Sequence, residues 1–105
     1  MKELLYKKAF QFRLLCMNVI NNPTKSRYEL VEDGHMAYAD YHLYENTLSI
    51  NYVYAPPELR GSGAAGRLME GIMADVKNQG LKARPICGYA ASWLKRHPEL
   101  NDFIA

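Results

Sequence analysis

Near residue 55 the apolar residues of this chain change their spacing from two to 3.6, and the joint is Pro56-Pro57-Glu58-Leu59-Arg60-Gly61-Ser62-Gly63-Ala64-Ala65-Gly66. No strand continues through it, because prolines fix φ and remove ladder donors. Between Arg60 and Gly66 stand three glycines and three small neighbours. Such a loop brings the backbone close to a ligand, and the free N–H groups of the next helix's first turn then cradle an anion.

Upstream of the joint the period is two. Val19 and Ile20 read as a short first strand, followed by a turn over residues 21–26. Residues 27–32 are rich in strand formers and stop at Asp33-Gly34, a strong hairpin signal. The strand over residues 35–44 puts Ala37, Ala39, Tyr41 and Leu43 on one face and Met36, Tyr38, Asp40, His42 and Tyr44 on the other. After Glu45-Asn46, residues 47–54 form a third strand. Strict alternation there sets Leu48, Ile50, Tyr52 and Tyr54 against Ser49, Asn51 and Val53.

Downstream, Ala65, Leu68, Met69, Ile72, Met73 and Val76 recur at helical spacing over residues 62–78, and Gln79-Gly80 is a stop. Residues 81–87 are strand-like. Following strand and helix, they return most easily parallel to residues 47–54 through a right-handed crossover. A last helix over residues 89–96 ends before Pro98, with Ala90, Trp93, Leu94 and His97 as packing positions. The expected class is α+β: a mixed sheet, mostly an antiparallel meander with one parallel βαβ unit, and helices on its faces.

The chain has 105 residues, enough for one core that buries roughly two-thirds of the unfolded surface. Its net charge of +2 comes from 13 basic and 11 acidic side chains scattered along the chain, which argues against a nucleic-acid footprint or a polybasic membrane anchor. Cys16 and Cys87, far apart and with no secretory signal, read as two reduced thiols of a cytosolic protein. Gln11, Arg13 and Asn18 interrupt the apolar amino-terminal residues and leave no membrane span. Met17-Asn18-Val19-Ile20 is a plausible domain start, so the expected domain is 17–105. Residues 1–16 read as an appended segment, either an amphipathic helix with Leu5, Ala9, Phe12 and Cys16 on one stripe or an upstream translation start.

The loop is neither a Walker loop, lacking Lys-Ser or Lys-Thr after the glycines, nor G-x-G-x-x-G with a downstream acid. Arg60-Gly61-Ser62-Gly63-Ala64-Ala65 instead resembles the Arg/Gln-x-x-Gly-x-Gly/Ala pyrophosphate loop of the GNAT acetyltransferase superfamily. Gly80-Leu81-Lys82, Pro85-Ile86-Cys87-Gly88-Tyr89 and Arg96-His97-Pro98-Glu99 extend the likeness to the minimal GNAT-like proteins, over residues 17–103. The resemblance implies a splayed sheet and a loop that holds the pyrophosphate of acetyl-coenzyme A. It places Arg60, Gly61, Ser62, Gly63, Ala64 and Ala65 at the cosubstrate, with the acyl chain between the strand before the loop and the one after the helix. The chain departs from the pattern at Tyr52-Val53, where family members often carry His-Thr, so no role of that His transfers.

Acetyl transfer needs a neutral amine, a polarised thioester carbonyl and a path for the amine's proton. Backbone N–H groups near Tyr54 and Ala55, freed by the prolines, are candidates for the carbonyl oxygen. Cys87, at a strand end and a helix start where amides favour thiolate, is the catalytic candidate: acyl acceptor, acid for the departing thiolate, or wall. Tyr89 is a candidate lining of the acyl pocket. Asp40, His42 and Tyr52 are candidate bases against the plainer reading of solvent-facing strand residues; His35 and His97 read as structural. Arg60 and Arg67 are candidates to add positive charge for phosphates, against the plainer reading of Arg67 as simply solvated on the helix's outer side. Three scattered histidines and two distant cysteines give no zinc spacing. The expected activity is acetyl-CoA-dependent N-acetyl transfer to a small-molecule or peptide amine. The alternative is a non-enzymatic acyl-CoA sensor or adaptor on the same scaffold.

Overall fold

The computed structural model describes residues 18–105; residues 1–17, with the helix and Cys16 expected there and the expected domain start at Met17, lie outside the described residues. Five strands form one sheet in the order β1-β2-β3-β4-β5, with β1 Val19–Asn22, β2 Arg27–Glu32, β3 His35–Tyr44, β4 Thr47–Tyr54 and β5 Lys82–Pro85. The first four are antiparallel neighbours, and β5 lies parallel to β4. Helix α1, Ala64–Gln79, makes the crossover between them, and α2, Gly88–Lys95, follows β5.

Both helices cover one face of the sheet. Tyr28 and Leu30 of β2, Ala37 and Ala39 of β3, Leu48 and Ile50 of β4 and Ala83 of β5 meet Leu68, Met69, Ile72, Met73 and Val76 of α1 and Ala90, Trp93 and Leu94 of α2 in one buried cluster. Alanines on the central strand let the helix approach closely, as dense interior packing requires. Gly71 serves the same end: a Cβ there would stand 2.4 Å from a methyl of Val19, so β1 docks directly on the helix backbone. Tyr28 spans sheet and helix, donating its phenol to the Asp75 carboxylate. Burial first, then the neighbouring Asp75, raises that phenol far above its ordinary pKa, so it stays protonated.

The element boundaries shift by small amounts from those the sequence suggests, each for a local reason. β1 extends through Asn22, because Asn21 and Asn22 pair with Tyr28 and Arg27 before the 3-10 turn Pro23–Lys25. Helix α1 starts at Ala64, not 62, because Gly63 is left-handed at φ +89. β5 stops at Pro85, since Leu81 instead closes the helix end through its N–H to Val76 and Cys87 caps α2. Among the described residues no helix is long and apolar enough to cross a membrane.

One departure reorients side chains. Asp40 pairs with Tyr52 but Tyr41 pairs with Ile50, so Asn51 has no opposite residue and forms a bulge in β4. An extra residue reverses the alternation beyond it. Val53 therefore packs toward the core with Leu48 and Ile50, while Tyr52 and Tyr54 turn to the outer face beside Tyr38. The expectation of a single face for Leu48, Ile50, Tyr52 and Tyr54 fails at this bulge. Leu43, expected inside, sits beyond the helices' cover and is 48% exposed.

Candidate functional site

The β4–β5 ladder runs from Thr47 opposite Lys82 to Ile50 opposite Pro85 and then forks. At the fork one carbonyl, Ile50 O, accepts both the Ile86 and the Cys87 N–H, each at 3.0 Å. β4 runs on to Tyr54 while β5 has ended, so beyond Ile50 its β5-side edge has no strand partner among the described residues. Unpaired backbone donors and acceptors within a sheet are costly unless something fills the opening. An extended chain with its own amides and carbonyls suits such a slot.

The loop begins where the open segment ends. The 3-10 turn Pro57–Leu59 drives Leu59 into the core, which anchors the loop. Arg60 turns back: its Nε donates to Ala55 O at 2.9 Å, and its guanidinium lies 5.9 Å from the Tyr54 ring centre. Ser62 Oγ donates to Leu59 O at 2.6 Å and accepts the Ala64 N–H at 3.3 Å. Gly61 and Gly63 both have positive φ, +83 and +89, which any Cβ would strain. Among the described residues the N–H groups of Gly61, Gly63, Ala65 and Gly66 take no hydrogen-bond partner. They cluster at the positive end of a 16-residue helix, a ready anion cradle.

The structure thus gathers Gly61, Ser62, Gly63, Ala64 and Ala65 into one loop, with differing roles. Ser62 and Ala64 are occupied holding its shape. The expected contribution of Tyr54 and Ala55 is confined to backbone, since the Tyr54 ring faces outward and the Ala55 carbonyl is taken by Arg60. Cys87 is a free thiol at the N-cap of α2, half-buried against the core, and its backbone is tied to the fork. Tyr89 reaches from α2 to the first turn of α1, its hydroxyl 3.9 Å from where a Gly66 Cβ would stand. Burial raises its pKa against a smaller opposing effect of Arg96, so it stays a donor.

Arg67 shows what sequence spacing concealed. It is not simply solvated on the helix's outer side: Nε and Nη2 donate to the two Glu32 carboxylate oxygens, each at 2.8 Å. Glu32 ends β2, 35 residues earlier, so no local pattern pairs the two. The fork-to-fork bond holds Glu32 below the usual carboxylate range. It leaves Nη1 beside the loop, 3.0 Å from where a Gly63 Cβ would lie.

The candidate bases are not gathered. Asp40 is held by Arg27 Nε at 3.0 Å on the outer face. Tyr52 is 49% exposed there, and His42 is exposed on the same face opposite Ser49 of β4. His35 lies 3.8 Å from Glu58, and His97 stacks on Trp93 with Nδ1 2.7 Å from the Trp93 carbonyl.

A parallel pair that forks beside a helix-capping anion cradle can seat an extended, phosphate-bearing molecule. Residues 27–103 match the family described as GCN5-related N-acetyl-transferase, and the chain belongs to that family of acetyltransferase enzymes. Among solved structures it is similar to the NMR solution structure of a GCN5-like protein from Staphylococcus aureus. The TM-score is 0.67 at 17% identity, covering 85% of this chain and 88% of that one, which supports the fold. No curated protein matches the chain significantly.

Proposed function

We propose that the protein transfers an acetyl group from acetyl-coenzyme A to an amine, with residues 17–105 as the catalytic unit. The observation that carries this reading is the union of unpartnered loop amides with the fork. The amides of Gly61, Gly63, Ala65 and Gly66 hold the pyrophosphate, with Arg67 Nη1 alongside. The pantetheine arm lies along the open edge of residues 51–54 and pairs with it as a missing strand would. Backbone N–H groups near Tyr54 and Ala55 receive the thioester oxygen as charge develops there.

The amine attacks the carbonyl carbon, the carbon–sulfur bond breaks, and coenzyme A departs as a thiolate that must gain a proton. Cys87, at the end of β5, is the group assigned to that proton. The proton lost by the amine passes to solvent, and solvent returns a proton to the Cys87 thiolate. A reducing compartment such as the cytosol keeps Cys87 a thiol.

Titration calorimetry with acetyl-coenzyme A, followed by thiol release across a panel of amines, tests this reading. Binding together with turnover supports it, binding without turnover on any amine favours the acyl-CoA sensor, and no binding by folded protein at millimolar ligand rejects both.

A further inference from the structure

The anion cradle lies at the start of α1, and both helices cover one face of the sheet. A cosubstrate reaching from that cradle into the fork leaves the outer face for the acceptor. On that face three strands align polar residues in one row: His42 of β3 is opposite Ser49 of β4, and Ser49 is opposite Arg84 of β5. Neighbouring strands lie about 4.8 Å apart, so the row is compact. With Tyr44, Glu45 and Thr47 these residues line an open groove of about 440 Å³.

Two facts set this row apart from ordinary surface. First, it ends at the fork: Ser49 and Arg84 are the pair immediately before Ile50 and Pro85. Second, of the other arginines among the described residues Arg27 is engaged by Asp40, Arg67 by Glu32 and Arg60 by the Ala55 carbonyl, while Arg96, the C-cap of α2, does not line the groove. Arg84 is exposed and enters no ion pair among the described residues. A guanidinium with its fork of donors free matches a carboxylate or a phosphate bidentately, and a neighbouring hydroxyl and imidazole supply further donors. Glu45, on the rim, is the groove's one carboxylate.

Resting on the acetyl transfer proposed above, we infer that Arg84, Ser49 and His42 bind an anionic group of the acceptor, whose substrate class is therefore an amine that also carries a carboxylate or phosphate. Asn51, where the open edge begins, is two residue steps along β4 from Ser49, a span of about 7 Å. That reach fits the side-chain amine of lysine, measured from its carboxylate, better than the α-amine of an amino acid.

The test uses matched pairs that differ only in the anion: lysine with cadaverine, and 5-aminopentyl phosphate with 5-aminopentanol. In one of the two pairs the expected kcat/KM is about tenfold higher for the anionic member, the scale of a charge-assisted contact, and the pair showing it identifies carboxylate or phosphate. Arg84→Ala should erase the preference through the KM of the anionic member, leaving the KM for acetyl-coenzyme A and for the partner without the anion in place. Arg84→Lys should restore part of it. Equal kcat/KM within both pairs overturns the inference, as does an equal loss on all four amines in Arg84→Ala. Turnover of none of the four by protein that binds acetyl-coenzyme A also overturns it. Failure to bind acetyl-coenzyme A at all sinks instead the acetyl transfer on which it rests.

Discussion

Three glycines with similar left-handed backbones offer a way to separate strain from recognition. Gly61, Gly63 and Gly80 have φ of +83, +89 and +68. A left-handed alanine costs about 1–2 kcal/mol, and each kcal/mol lowers Tm by about 4–8 °C in a domain of this size. All three Gly→Ala variants should therefore melt about 4–16 °C lower. Only Gly63 adds a contact, at 3.0 Å to the guanidinium end of Arg67, whereas Cβ atoms at Gly61 and Gly80 meet nothing within 4 Å among the described residues. Gly80 lies at the far end of α1, about 24 Å from the cradle by helix rise. Affinity should diverge where stability does not. Alanine keeps its N–H, but relief of the strained left-handed backbone turns that amide off the phosphate, a charge-assisted bond worth about 1.5–3 kcal/mol, so Gly61→Ala and Gly63→Ala should weaken acetyl-coenzyme A about ten- to a hundredfold. Gly80→Ala should bind as wild type. Calorimetric titrations beside thermal melts supply both numbers. Comparable melting losses with wild-type affinity in all three variants would refute the assignment of the loop.

Three further expectations follow from packing and charge. Alanine at Gly71 should gain about 1 kcal/mol of helix propensity, yet the protein should lose about 1–3 kcal/mol overall because the new methyl collides with Val19; chemical denaturation should show recovery in the Gly71→Ala/Val19→Ala double variant. Because Arg67 lowers the Glu32 pKa, Glu32 stabilises the fold fully above the ordinary carboxylate pKa and loses that contribution as pH falls through its folded value. The stability gap between wild type and Glu32→Gln should thus be open at neutral pH and close in acid, and a gap unchanged with pH would dismiss the pair. Cys87→Ala should lower kcat with little change in acetyl-coenzyme A affinity, and full turnover in that variant would remove the proton role.

Most of the fold is legible in the residues because one rule governs each stretch. The period of two over β2 and β3, the Asp33-Gly34 turn and the helical spacing from Leu68 to Val76 each follow from local geometry. The bulge at Asn51 escapes that reading, since no residue type there demands an extra step and only register against β3 reveals it. It decides which way Tyr52, Val53 and Tyr54 face, and therefore what the acceptor side of the site is made of. The loop is legible from its glycines, and Cys87 from its place at a strand end. Arg67 with Glu32, and the row His42, Ser49 and Arg84, join residues dozens of positions apart, so strand register and tertiary packing alone bring them together.

The most direct test of the central claim is a titration of isotope-labelled protein with acetyl-coenzyme A, followed residue by residue through backbone amide resonances. The account predicts the largest shifts at Gly61, Gly63, Ala65 and Gly66, joined by residues 51–55 along the open edge of β4. Saturable binding that leaves those amides unmoved, with shifts confined to the groove lined by Trp93, His97 and Leu100, would contradict it.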